Sequence, residues 1–238
     1  MNNTSFSARE CIAYGWETFK KRPGIFIGAA LVMSLVPQVI NNVTSSVLVS
    51  AFASQGVIIN PQHVLATVSA ESVSFFLITV FVSIVVQVLV SSGSANFYLK
   101  AVRSPEALAF GDLWAPKFFF PCLATDIAVG IVVLLGLVAL IIPGIWLSFV
   151  YGFSLYAVID REHGVRDAMR FSKKITKGQV IELVGLAVFS FFVLTAGVLA
   201  LLVGLLVALP VVALARARAY RVLVDASSES LQSPVVAA

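Results

Sequence analysis

The chain has 238 residues, 59% of them hydrophobic and 12% charged, with a mean hydropathy of +0.99. Soluble domains carry roughly 45–50% apolar and about 25% charged residues, so a water-soluble fold is excluded and part of the surface must face lipid. The net charge is +4 and the isoelectric point about 9.2. The basic residues flank apolar stretches, so anionic lipid headgroups and not nucleic acid are the expected counter-charge.

Ahead of the first apolar stretch, Ser7-Ala8-Arg9-Glu10 has the spacing of a helix capping box. Ile12, Trp16 and Phe19 then recur at helical spacing, with Arg9, Glu17, Lys20 and Lys21 on other faces. This predicts an amphipathic helix in the membrane interface, from which Lys20, Lys21 and Arg22 reach headgroup phosphate. Glu10 and Glu17 in that polar segment, and the lack of a small-residue cleavage site beyond it, argue against a cleavable signal.

A helix crossing about 30 Å of hydrocarbon needs about 20 apolar residues. The first span is expected at 24–40 and the second at 72–92. In the loop between them, 41–71, residues 43–53 fit a helix extension, a surface helix or a re-entrant element. Residues 95–120 form a weaker candidate surface helix, carrying Tyr98, Lys100, Arg103, Trp114 and Lys117 but interrupted by Pro105 and Pro116.

Residues 122–159 are apolar except for Asp126, and one helix of about 38 residues would run about 57 Å, nearly twice the membrane. The chain must reverse, and Pro143-Gly144 is the natural break, giving spans at 122–142 and 144–159. Asp160 reads as an interface stop and a cap for a second surface helix over 164–177. Val165, Ala168, Met169, Ser172 and Ile175 form the less polar face of that helix. Arg166, Arg170, Lys173, Lys174 and Lys177 form its headgroup-contacting face, and Gly178 ends it. Residues 180–215 again exceed one crossing, with Gly197 and Gly204 bracketing a turn between spans at 180–200 and 203–220. One membrane domain, 1–224, and a flexible tail, 225–238, follow.

All sixteen Lys and Arg fall in four clusters, within 9–22, 100–117, 161–177 and 216–221. Basic residues mark cytoplasmic loops. With a cytoplasmic N-terminus and six crossings, every cluster lies inside; merging either late hairpin into one span would put a cluster outside. The expected fold is an all-α polytopic integral membrane bundle of six transmembrane helices with amphipathic cytoplasmic interface helices and both termini in the cytoplasm.

Chemistry-bearing residues are few. Asp126, within the first two turns of the third span, is a costly carboxylate in lipid. It reads either as a polar transport site with Gln87 at similar depth, or as an interface residue paired with Lys117 or a neighbouring Arg. Cys11 and Cys122 are far apart, and His63 and His163 stand alone. No catalytic, cofactor-binding or metal-ligand pattern is present, and no disulfide is expected.

Ile142-Pro143-Gly144-Ile145-Trp146, continuing through Ser148-Phe149 and Tyr156 to Asp160, resembles a bacterial family of multi-span membrane proteins of largely unknown function. That family is similar to the membrane region fused to some glycerophosphoryl diester phosphodiesterases. The likeness extends to Asp167-Ala168-Met169 and to Ser172-Lys173-Lys174-Ile175-Thr176-Lys177-Gly178. It also takes in residues 204–210 with Ala219-Tyr220-Arg221, and Gly15-Trp16 with Phe19 and Pro23. Most of the chain is covered, but not 41–71. The family often has Pro within 154–157 and an acidic residue after the final Tyr-Arg, where this chain has Val222. The resemblance implies a multi-pass protein of the bacterial cytoplasmic (inner) membrane and carries over no catalytic residues. The phosphodiesterase activity of fused relatives belongs to a separate soluble domain, for which residues 225–238 are too short.

These readings favour a non-enzymatic scaffold or accessory factor in membrane or envelope organisation. Its expected partner is the lipid bilayer, with a homo-oligomer or another membrane protein left open and no cofactor. The alternatives are a small transporter or channel using Asp126 in a polar path, and a lipid-acting enzyme, for which no nucleophile, base or metal cluster speaks.

Overall fold

Apolar stretches this long satisfy their backbone groups in lipid most readily as helices. In the computed structural model, which describes residues 7–54, 70–200 and 203–232, every regular element is helical. The long elements are α1 (Ala8–Lys21), α2 (Pro23–Ser54), α3 (Ala70–Arg103), α4 (Phe119–Ala139) and α5 (Ile141–Tyr151). They continue as α6 (Ser154–Arg161), α7 (Val165–Thr176), α8 (Val180–Leu199) and α9 (Val203–Gln232).

Five segments are long and apolar enough to cross a membrane: Pro23–Val47, Val73–Arg103, Phe110–Ala139, Ile141–Arg161 and Val180–Leu199. Their outward faces hold large apolar side chains such as Phe81, Ile142 and Phe191, exposed by 67%, 81% and 65%. Surfaces of that kind call for lipid. α9 is not among the five. It is uncharged from Val203 to Ala215 and then carries Arg216, Arg218 and Arg221 in the same helix. It is also the innermost helix, with Leu214, Ala215, Ala217, Ala219 and Tyr220 wholly buried.

Several boundaries differ from those read in the sequence. The reversal in 122–159 falls at Leu140, whose backbone is extended, and not at Pro143-Gly144. Pro143 instead lies in the first turn of α5, where its missing N–H costs nothing. Gly144 serves packing: a Cβ there would collide with Leu137, and one on Gly136 would press on Gly144 and Leu147. Gly197 and Gly204 lie on either side of the α8–α9 break and abut each other, so a Cβ on Gly197 would meet the Gly204 carbonyl. Residues 43–53 continue α2 as a helix, while residues 55–69 lie outside the described residues. α9 runs to Gln232, so the segment from Asp225 onward begins as helix and not as a tail.

The third candidate surface helix does not form. α3 continues to Arg103, and three short 3-10 turns follow at Pro105–Ala107, Phe110–Leu113 and Pro116–Phe118. Two of them begin at the prolines that interrupt the pattern. Asp112 pins the middle turn by accepting from Lys100 Nζ at 2.7 Å and from the Ala109 N–H at 2.9 Å.

α1 is packed against the bundle. It docks on α8 and α9 through Ala8, Cys11, Gly15 and Phe19, leaving Trp16 46% exposed. Gly15 permits the approach, since a Cβ would strike the Val211 carbonyl of α9. Ser7 caps α1 in backbone geometry, but its side chain makes no capping hydrogen bond, so the expected capping box is absent. α7 buries Ala168, Ser172, Ile175 and Thr176. Where α5 gives way to α6, the Val150 carbonyl accepts from Ser172 Oγ at 2.7 Å and from Thr176 Oγ1 at 3.3 Å. A helix break inside a span frees such carbonyls, and here α7 supplies the donors.

Candidate functional site

The four basic clusters are knitted together at one end of the bundle. Arg22 Nη1 donates to the carbonyls of Pro105, Glu106 and Leu108 at 3.1, 3.2 and 3.3 Å, joining the first cluster to the second. Lys117 pairs with Glu162, and Arg103 with Asp160, joining the second to the third. Tyr220 donates to Asp160 Oδ2 at 3.0 Å, and the Arg218 guanidinium lies 4.7 Å from the Tyr14 ring centre. These contacts bring in the fourth cluster.

Asp160 is therefore not a helix cap. Gly164 stands at the N-cap of α7, and no side chain caps that helix. Asp160 occupies the last turn of α6 with its side chain 6% exposed. A carboxylate there opposes the helix dipole; Arg103 and Tyr220 compensate it. The sequence signal was the acidic residue at a helix C-terminus, a position that calls for a cation from elsewhere. Beside it, the Arg161 guanidinium lies 4.3 Å from the Phe171 ring centre, and His163 packs edge-on against the same ring.

The residues expected to touch headgroups are all exposed: Lys20, Lys21, Arg22, Arg166, Arg170, Lys173, Lys174 and Lys177. They are not equally free. Arg22 is committed to the α3–α4 connection, Lys20 pairs with Glu17 at 2.7 Å, and Arg170 stands 3.9 Å from Asp167. Lys21, Arg166, Lys173, Lys174 and Lys177 form no ion pair among the described residues.

Asp126 and Gln87 lie apart from this network. Both are exposed, and Asp126 accepts a long hydrogen bond, 3.4 Å, from Ser91, one helical turn beyond Gln87 on α3. Asp126 is not paired with Lys117, whose partner is Glu162. Neither Asp126 nor Gln87 lines the hollows described below.

Sequence reading missed Arg216, which it counted only as part of the last basic cluster. In the fold, Arg216 and Tyr156 together wall two hollows. One, about 260 Å³, lies between α5, α6 and α8 and includes Ser148, Leu183 and Ser190. The other, about 360 Å³, opens toward α2 and α3 and includes Ser34, Ser94 and Tyr98. Tyr156 also packs against both apolar clusters of the core and stacks on Tyr220, ring centres 5.6 Å apart. Among the described residues, no group of three or more His, Cys, Asp or Glu is placed to hold a metal. Cys11 and Cys122 are buried and unbridged.

No family model, curated protein or solved structure matches the chain.

Proposed function

We propose that the chain is a non-enzymatic scaffold or accessory factor of the bacterial cytoplasmic membrane, crossing it six times with α9 as the last crossing and both termini inside. Its basic end holds anionic headgroups of the inner leaflet. The observation that supports this reading best is the knitting of four sequence-distant basic clusters into one end, with five of the eight expected headgroup contacts, those other than Lys20, Arg22 and Arg170, free of any ion pair among the described residues. α1 and α7 are docked, not tethered, so little backbone ordering remains to be lost when their side chains bind headgroups. Each basic residue near an anionic surface contributes about 1 kcal/mol. Asp126 and Gln87, exposed on the seam of α3 and α4, give a polar transport path no support.

The test is retention of anionic over zwitterionic lipid by the purified full chain when Lys173, Lys174 and Lys177 are replaced by Gln. Retention of phosphatidylglycerol should fall on the order of fivefold per lysine removed and should fall further as salt rises. Lipid retention equal to that of the unaltered chain, at low and high salt, would sink the proposal.

A further inference from the structure

Arg216 is exposed, walls both hollows and stands one helical turn before Tyr220, which donates to Asp160. Its neighbours around the two hollows come from four of the five apolar spans: Ser34 from α2, Tyr98 from α3, Ser148 and Tyr156 from Ile141–Arg161, and Ser190 from α8. Along α8 these hollows reach from Leu183 to Leu194, about 16 Å of helix. Charged side chains inside a membrane face a cavity or a partner, because an unpaired charge in hydrocarbon is costly. Arg103, Lys100 and Lys117 each have a carboxylate. Arg216 forms no ion pair among the described residues, and neither hollow is lined by Asp or Glu.

The rest of the lining sets what kind of partner fits. The serine hydroxyls already donate to their own helices: Ser34 to Ala30 O, Ser94 to Ser91 O, Ser148 to Ile145 O and Ser190 to Leu186 O, at 2.6 to 2.8 Å. Tyr98 and Tyr156 carry phenol O–H groups with no hydrogen-bond acceptor among the described residues. With the Arg216 guanidinium they offer one fixed charge and two further donors to an anion, beside serine oxygens that keep only acceptor lone pairs.

The larger hollow does not end there. It shares Met33 and Ser94 with a third hollow of about 300 Å³ between α2 and α3. That groove is lined by Val36, Ile40, Val86 and Leu89, with Trp114 at its rim. From Met33 to Ile40 it follows α2 for about 10 Å, away from the basic end. A water-borne anion would fill the polar hollow and leave the groove without an occupant. An amphiphile fills both.

We propose that Arg216, with Tyr98 and Tyr156, binds the anionic headgroup of a membrane lipid whose acyl chain lies in the α2–α3 groove. The site is separate from the exposed lysines of α7 and does not depend on the scaffold reading. It differs from them in kind, holding one lipid per chain in a fixed pose where the lysines hold a diffuse layer.

The experiment titrates the full chain in neutral detergent with short-chain phosphatidylglycerol, with phosphatidylcholine of the same chain length, and with inorganic phosphate. Bound mass is read by native mass spectrometry. The unaltered chain should hold one phosphatidylglycerol in preference to phosphatidylcholine and hold inorganic phosphate far more weakly. Arg216→Gln should weaken that single site at least about tenfold, the scale of a charge-assisted hydrogen bond, and Arg216→Lys should recover part of the loss. Ser94→Phe, which plugs the junction of hollow and groove, should weaken phosphatidylglycerol and leave phosphate binding unchanged. Replacing Lys173, Lys174 and Lys177 with Gln should leave the single site intact, so the two proposals fail independently. Equal affinity of Arg216→Gln and unaltered chain overturns the site. Equal binding of phosphatidylcholine overturns anion recognition, and phosphate bound as tightly as lipid overturns the lipid assignment. If Arg216→Gln does not fold, the Tyr98→Phe, Tyr156→Phe double variant carries the same test, and unchanged phosphatidylglycerol affinity in it overturns the proposal.

Discussion

Asp160 is held at the C-terminal turn of α6, against the local dipole, by an arginine and a tyrosine from two other helices. Asp160→Asn keeps the shape but removes the only carboxylate paired with Arg103 among the described residues. Removing the charge of the buried Asp160 opposite a partly exposed arginine should cost about 1–2 kcal/mol, seen as a lowered unfolding midpoint in detergent. Asp126→Asn is the control: it breaks no ion pair and only one long hydrogen bond, so it should not lower the midpoint. Equal destabilisation by the two would remove the distinction. Cys11 offers a pH readout of the same end. Burial pushes its thiol up to about 11, with Arg218 opposing the rise, and only the thiolate is reactive. In a Cys122→Ala chain, Cys11 should resist maleimide at pH 7.5 while folded, label readily once unfolded, and gain reactivity as pH climbs toward 11. Rapid labelling of the folded chain at neutral pH would mean that α1 is not docked. The positions of the basic residues were readable from sequence because they follow local hydropathy. The partners of Asp160 were not, since Arg103 and Tyr220 lie on other helices and no local period connects them.

Element by element, the sequence located helices better than it located their contacts. Large apolar residues at helical spacing identified α1, and Phe19 and Ile12 do pack inward while Trp16 stays exposed; the closest approach, however, is made by small residues at Ala8, Cys11 and Gly15. Helices in lipid gain little from burying large side chains against one another and more from close backbone approach, and a hydrophobicity pattern is blind to that. Gly15→Val should therefore force α1 from Val211, costing about 1–3 kcal/mol. Limited proteolysis would read this as faster cleavage within residues 8–21, and unchanged cleavage would refute it. The same blindness shifted the α4–α5 reversal. Pro143-Gly144 reads as a turn because both residues break helices. Yet Pro is tolerated in a first turn, and Gly144 is required for contact with Leu137, so the break moved back to Leu140. α7 was the most legible element, because its face combines apolar residues with Ser172, whose target is the carbonyl freed at Val150.

At the scale of the molecule, α9 decides the topology. Its uncharged run from Val203 to Ala215 is about 20 Å long, a length that carries a penalty for a lone span, and it ends at the exposed Arg216. A helix surrounded by other helices escapes that penalty, and α9 packs on α1, α2, α3, α7 and α8. The six-crossing proposal counts this helix although hydropathy does not. Its two ends are tied in opposite directions. Gly204 abuts Gly197 near the α8 terminus, whereas Val211 meets Gly15, Arg218 meets Tyr14 and Tyr220 meets Asp160. These ties put Asp225 at the same end as Lys21 and Lys173, and Ala200 at the other. In a cysteine-free chain, Leu140→Cys and Ala200→Cys should react with a membrane-impermeant maleimide added outside intact cells. Lys21→Cys, Lys173→Cys and Asp225→Cys should react only in inside-out vesicles. A five-crossing chain would place Asp225 outside with Ala200, which requires breaking every contact between α9 and α1; external labelling of Asp225→Cys would establish that arrangement and end the six-crossing reading.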